Sequence, residues 1–249
     1  MNKVIRAEFG RTINAGLIIA IAGIIFSICF DSFNDLIAGL RNGQGYVGYF
    51  FSNAAFGGMC TKYMLPVFTA LPFSVSLCQE RNNKAVSYIV SREGKNRYIF
   101  AKFIVSAISG GFVAVCGTVL LFLMLAMRFP IAGDEFEGAV VSDYFHEWSA
   151  VYYPQLYILT LSILAFCRGV IWSSLALCVS LYTSDFMVVL LSPFLGSYVL
   201  VRIFQIIRVP DMVRPDMILI GQVVIKSSGL TLIIAIAISL TICLLYTSP

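Results

Sequence analysis

The chain has 249 residues, of which 59% are hydrophobic and only 12% charged, with a formal net charge of +4. Soluble domains carry about 25% charged residues, so this composition excludes a water-soluble fold of this size and makes the bilayer the solvent. The basic residues are dispersed along the chain, which excludes a nucleic-acid surface, and at roughly 20 apolar residues per pass the length accommodates five to seven helices.

Residues 1–12 mix Val4, Ile5 and Phe9 with Lys3, Arg6, Glu8 and Arg11, a spacing that predicts an amphipathic helix lying at the membrane interface. A first span is expected over 13–30. Its apolar run is too long for a signal-peptide core and no small-residue cleavage site follows, so the span is expected to be retained. Residues 31–58 read as a connection with interfacial aromatics (Tyr46, Tyr49, Phe50, Phe51). A second span follows over 59–79, carrying Pro66 and Pro72, with Lys62 near one end able to snorkel.

The most polar stretch, 80–97, holds Arg81, Lys84, Arg92, Lys95 and Arg97 against Glu80 and Glu93. The third span is expected over 98–127, with Gly110-Gly111 permitting close helix approach. A connection rich in Asp and Glu follows, then a fourth span over 154–182 with Arg168 near its middle. A fifth span covers 186–201, with Asp185 as its cap. Residues 202–226 are amphipathic and broken by Pro210 and Pro215, and a sixth span covers 227–246. The end, Leu244-Leu245-Tyr246-Thr247-Ser248-Pro249, reads as an adapter-like tail, leaving the native C terminus outside the sequence.

Lys and Arg set orientation. The basic cluster between spans two and three, against an acidic connection after span three, places the N terminus in the cytoplasm. The seven cysteines are odd in number, lack Cys-x-x-Cys spacing and read as small apolar packing residues. A phosphate-binding loop needs Gly-x-x-x-x-Gly-Lys-[Ser/Thr]. Gly94-Lys95 lacks both the upstream glycine and the hydroxyl, so no ATP site is expected in this chain. His146 is the single histidine, which leaves no metal-protease motif and little support for nucleophilic catalysis. Metal ligation is therefore not expected.

Two features carry functional weight. Arg168 sits where charge is costly and usually purposeful. It reads as lining a polar path, pairing across a subunit interface, or closing an ion pair inside the bundle. The 80–97 connection reads either as a positive-inside topology signal or as a docking surface, because Ala85, Val86, Tyr88, Ile89 and Val90 form an apolar centre between charges.

At this connection the chain resembles the ABC-2 family of transporter permeases. The resemblance rests on Leu71-Pro72-Phe73-Ser74 through Gln79-Glu80-Arg81, on Tyr88 to Arg92, on Tyr98-Ile99-Phe100-Ala101-Lys102, on the opening Arg6-Ala7-Glu8-Phe9, and on Gly169 to Ser180 leading to Ser192-Pro193. Asn82-Asn83 and Arg168 depart from the family pattern. The resemblance implies an all-α integral membrane fold with six transmembrane helices, an N-terminal interfacial helix and short re-entrant outer helices between spans five and six. It also implies that a second permease chain pairs with this one, as a homodimer or heterodimer. A separate cytoplasmic ATPase, holding ATP and Mg, would dock on Glu80, Arg81, Lys84, Arg92, Lys95 and Arg97, with Glu80 anchoring the connection. The implied activity is export of an amphipathic substrate across the cell membrane. The rival reading is a self-contained secondary transporter or channel.

Overall fold

The structure is a computed structural model, and it describes residues 8–10, 15–42, 47, 58–74, 76–83, 86, 88, 90–91, 94–130, 154–210, 213–220 and 228–247. Among these residues no strand occurs. The helices are α1 (Ala15–Asp31), α2 (Phe33–Asn42), α3 (Met59–Ala70), α4 (Ser76–Asn82), α5 (Lys95–Ala126), α6 (Pro154–Tyr182), α7 (Phe186–Ile207), α8 (Pro215–Ile220) and α9 (Ser228–Thr247).

Among the described residues three helices are long and apolar enough to cross a membrane: Arg97–Ala126, Ile158–Tyr182 and Phe186–Ile207. The bent pair formed by α1 and α2 makes a fourth if it is counted as one pass. Apolar side chains such as Ile18, Phe26, Leu123, Leu159, Met187, Ile206 and Ile233 face outward. That is the arrangement expected where lipid, not water, surrounds the helices, and the chain is an all-helical membrane protein.

Helix α6 is central and packs against α3, α4, α5, α7, α8 and α9, while α1 packs on α3 and α5. The core between them is built from Ile24, Val113, Leu121, Leu164, Ile171 and Ala235. Helices α5 and α6 meet backbone to backbone. A Cβ on Gly110 would lie 2.8 Å from the Gly169 carbonyl oxygen, and a Cβ on Gly169 would fall on the Gly110 backbone. Without glycine at both positions the two backbones could not meet, so the expected role of Gly110 holds and Gly169 is its counterpart.

The structure revises several expected boundaries. The connection expected after residue 30 contains α2, set 70° from α1. Phe33, Leu36, Ile37 and Leu40 recur at helical spacing, a signal obscured by the surrounding Asn, Asp and Gly. The second span is not continuous: α3 stops at Ala70 and turns occupy 71–74 before α4. Pro72 cannot donate a backbone hydrogen bond and crowds the preceding turn, which breaks the helix there. At 12 residues, α3 reaches only about 18 Å.

The break closes on its own backbone, the Ser74 amide donating to the Ala70 carbonyl at 3.1 Å and the Ser76 amide to the Phe73 carbonyl at 2.8 Å, and the Ser74 side chain ties it to the neighbouring helices. Ser74 Oγ bonds the Ser173 carbonyl at 3.0 Å and meets Ser106 Oγ at 3.1 Å. At the other end of α3, the Asp31 carboxylate accepts from the amides of Cys60 (3.0 Å) and Thr61 (2.6 Å), satisfying two first-turn donors.

Helix α7 runs six residues beyond the expected end at 201. Arg202 continues the helix, its guanidinium lying over the Tyr198 ring at 5.3 Å. The helix stops where Arg208 turns left-handed at φ 54°. Asp185 caps α7 as expected, accepting from the Met187 amide at 2.9 Å. Of the expected N-terminal interfacial helix only Glu8–Gly10 is described, and it is helical. The acidic connection with His146 lies outside the described residues.

Candidate functional site

Two polar clusters interrupt the apolar bundle, one near each end of α3–α4. The first lies where α4 leads toward α5. Lys102 is 1% exposed, and its ammonium is 2.8 Å from Glu80 Oε1, 3.2 Å from Glu8 Oε2 and 3.1 Å from Ser76 Oγ. Tyr98 Oη donates to Glu80 Oε2. The ammonium also lies 5.0 Å from the Phe73 ring centroid and 5.6 Å from that of Tyr98. Tyr98 and Lys102 share a face of α5 because they are four residues apart.

Three oxygens therefore surround an ammonium with three donors, and two carboxylates face its single positive charge. Such a cluster joins three pieces of chain: the segment before α1, α4 and α5. Beside it, Arg81 Nη1 donates to the carbonyls of Ser180 (3.1 Å) and Leu181 (2.9 Å). These are last-turn carbonyls of α6, where a cation is favoured. Asn82 Nδ2 donates to the Ser184 carbonyl at 3.3 Å. The root of the 80–97 connection is thus tied to α5 on one side and to the α6–α7 turn on the other.

Of the docking residues expected from the resemblance, Glu80 is buried and faces inward, whereas Arg81 and Arg97 are exposed. Lys95 opens α5, and its side chain lies outside the described residues, as do Lys84 and Arg92. The structure brings Glu80 together with Tyr98, Lys102 and Glu8. Sequence reasoning had used the last three only for layout. The signal was the Tyr98-x-x-x-Lys102 spacing, which places a base and a hydroxyl on one helical stripe in front of an apolar run.

The second cluster lies around Arg168, which is 7% exposed. A cavity of about 160 Å³ is bordered by Lys62 on α3, Arg168 and Trp172 on α6, Ser197 on α7 and Asp216 on α8. Lys62 lies within electrostatic reach of Asp216, Arg214 and Arg168. Asp216 is engaged by Arg214 through Nε at 3.3 Å and Nη2 at 2.8 Å, a buried two-point pair. Among the described residues no carboxylate lies within ion-pair distance of Arg168 and no side chain or carbonyl accepts from it.

Sequence reasoning singled out Arg168 but left Lys62 as a snorkelling residue and missed Asp216. The Arg214-Pro215-Asp216 triplet sits in a proline-broken stretch that reads as loop. Arg168 and the Glu80 cluster occupy separate sites. Among the described residues no group of three or more His, Cys, Asp or Glu could hold a metal ion, and the six cysteines whose side chains are described are free thiols.

Comparison with family models, with curated proteins and with solved structures gives no match for this chain.

Proposed function

We propose that the chain is the membrane permease subunit of an ATP-driven exporter of the ABC-2 type. In this reading it crosses the cell membrane six times with its N terminus in the cytoplasm. The passes are α1 with α2, α3 with α4, α5, α6, α7 and α9, and α8 lies on the outer side as a short re-entrant helix. Two such chains pair, and each receives a separate ATPase that binds ATP and Mg. Nucleotide-driven closure of the ATPases moves an amphipathic substrate.

The observation that carries this reading is the attachment of the 80–97 connection. A surface loop that served only as a topology signal would need no buried roots. Here Glu80 is held by Lys102 and Tyr98, and Arg81 by the end of α6. A push on the connection that follows them would therefore reach α5 through Glu80 and α6 through Arg81, and these helices meet at Gly110 and Gly169. Exposed Arg97, with Arg92 nearby in sequence, supplies charge for a partner's acidic surface.

Charge reversal at Arg92→Glu and Arg97→Glu is expected to abolish co-purification of the ATPase while leaving the permease in the membrane. Unchanged recovery of the pair argues against docking there. The rival reading, a secondary transporter, draws its one supporting observation from Asp216, a carboxylate beside two cations in the cavity. Transport that persists after ATP depletion would favour it.

A further inference from the structure

The Arg168 cavity is the least balanced place in the described bundle. Arg168 brings a guanidinium that stays charged at any physiological pH, is more than nine-tenths buried and borders open space. Lys62 brings a second cation to the same cavity. The one acidic group on its wall, Asp216, is already matched by Arg214 on both carboxylate oxygens. Two positive charges are therefore left without a described protein counter-charge.

Burying an ionised group costs several kcal/mol unless it is paired, and a bundle built only for stability would not keep such a group facing a hole. Trp172 and Leu175 give the cavity an apolar wall. A cavity of about 150 Å³ takes a benzene-sized molecule, so this one holds a head group and not a whole amphiphile. A phosphate monoester carries about −1.5 to −2 charge at pH 7, which matches the surplus. Its oxygens also suit the planar fork of an arginine.

We infer that the cavity lined by Lys62, Arg168 and Asp216 is a binding site for a phosphate group, either on a lipid head group or free in solution. This inference deepens the exporter reading by naming the chemical class of its substrate, but binding at the site does not require the ATPase.

The test uses the purified full-length chain in detergent, titrated with inorganic phosphate, with dihexanoyl phosphatidic acid and with dihexanoyl phosphatidylcholine. Wild type is expected to bind at least one of the first two, and the pair separates a free-phosphate site from a head-group site. Arg168→Gln and Lys62→Gln should each weaken that binding by about tenfold or more, the worth of a hydrogen bond to a charged group. Asp216→Asn should tighten it several-fold, and Arg208→Gln, an exposed control, should leave it unchanged.

Wild type binding neither phosphate compound overturns the assignment. So does binding that survives both Arg168→Gln and Lys62→Gln. If one of these variants fails to fold, the other decides. Loss of phosphate binding with ATPase co-purification intact sinks this site alone, and the reverse result sinks the exporter reading alone.

Discussion

Lys102 and Arg168 are both basic side chains withdrawn from their surroundings, at 1% and 7% exposure, yet they are buried on different terms. Lys102 is enclosed by two carboxylates, a hydroxyl and two aromatic rings, donating to Glu80 and Ser76 and forming an ion pair with Glu8. Arg168 has a cavity in front of it, and the nearby carboxylate belongs to another arginine. A satisfied buried charge fixes the relative position of the elements that satisfy it. An unsatisfied one stores free energy that a ligand of opposite sign can release. The first arrangement serves as a joint and the second as a receptor.

The comparison breaks most sharply at Lys102. Lys102→Met removes the cation and leaves Glu8 and Glu80 buried against each other, the kind of change that costs about 3–5 kcal/mol. The melting temperature of the detergent-solubilised chain should fall steeply. Glu80→Gln keeps a polar partner for Tyr98 and should cost distinctly less. Equal losses in the two variants would mean that the charge balance is not what holds the joint.

The next effect tests what lies between the two clusters. Gly169→Val sets a branched side chain against the Gly110 backbone, which cannot rotate away as a side chain could. Overpacking of this kind costs about 1–3 kcal/mol, occasionally more. Because α5 carries Lys102 and α6 carries Arg168, the separation forced at Gly169 should also raise cysteine accessibility at Cys167, a buried thiol. Unaltered labelling of Cys167 would show that the helices absorb the bulk elsewhere.

Arg168→Met should move stability in the opposite direction from Lys102→Met. Removing a charge without a described protein partner relieves its desolvation, and in the absence of phosphate the melting temperature should rise, by the equivalent of about 1–2 kcal/mol. A loss of stability would mean that Arg168 closes a structural pair, one of the roles its position in the sequence allowed. The contrast in sign between Lys102→Met and Arg168→Met is the most direct reading of joint against receptor.

How much of this was legible in the sequence depends on the range of the interaction. Runs of apolar residues marked α5, α6 and α7 because continuous hydrophobicity is a local property, and Asp185 was legible as a cap because capping acts within one turn. The break at Pro72 was missed since proline is tolerated inside membrane helices when neighbours satisfy the freed groups. Here the turn closes on its own backbone, and the Ser74 hydroxyl reaches Ser106 and Ser173 on helices the local pattern cannot pair with it. Arg168 stood out as a charge in an apolar run. Lys62 and Asp216 did not, because their meaning comes from the packing of α3 and α8 against α6. Glu80 was marked by its place in a family-like stretch, but its partners Tyr98 and Lys102, and Glu8 on the same lysine, became visible only once α5 and the segment before α1 were folded onto α4.

The smallest expected effect concerns the outer edge of the joint. Asp185 caps α7 through the Met187 amide, and the turn it belongs to accepts hydrogen bonds from Cys78 at the Thr183 carbonyl and from Asn82 at the Ser184 carbonyl. Asp185→Ala removes one cap at an exposed position and should cost about 0.5–1 kcal/mol. Its informative consequence is local. If the turn is held mainly by its own cap, hydrogen exchange should quicken only at the first turn of α7. If Arg81, Asn82 and Cys78 hold it from α4, exchange at 186–190 should rise slightly while the last turn of α6 stays protected. Adding Arg81→Gln should then expose both ends at once, because the carbonyls of Ser180 and Leu181 lose their donor. Additive, independent effects of the two substitutions would count against a single mechanical unit, and with it against the idea that force entering at the connection reaches α6 through Arg81.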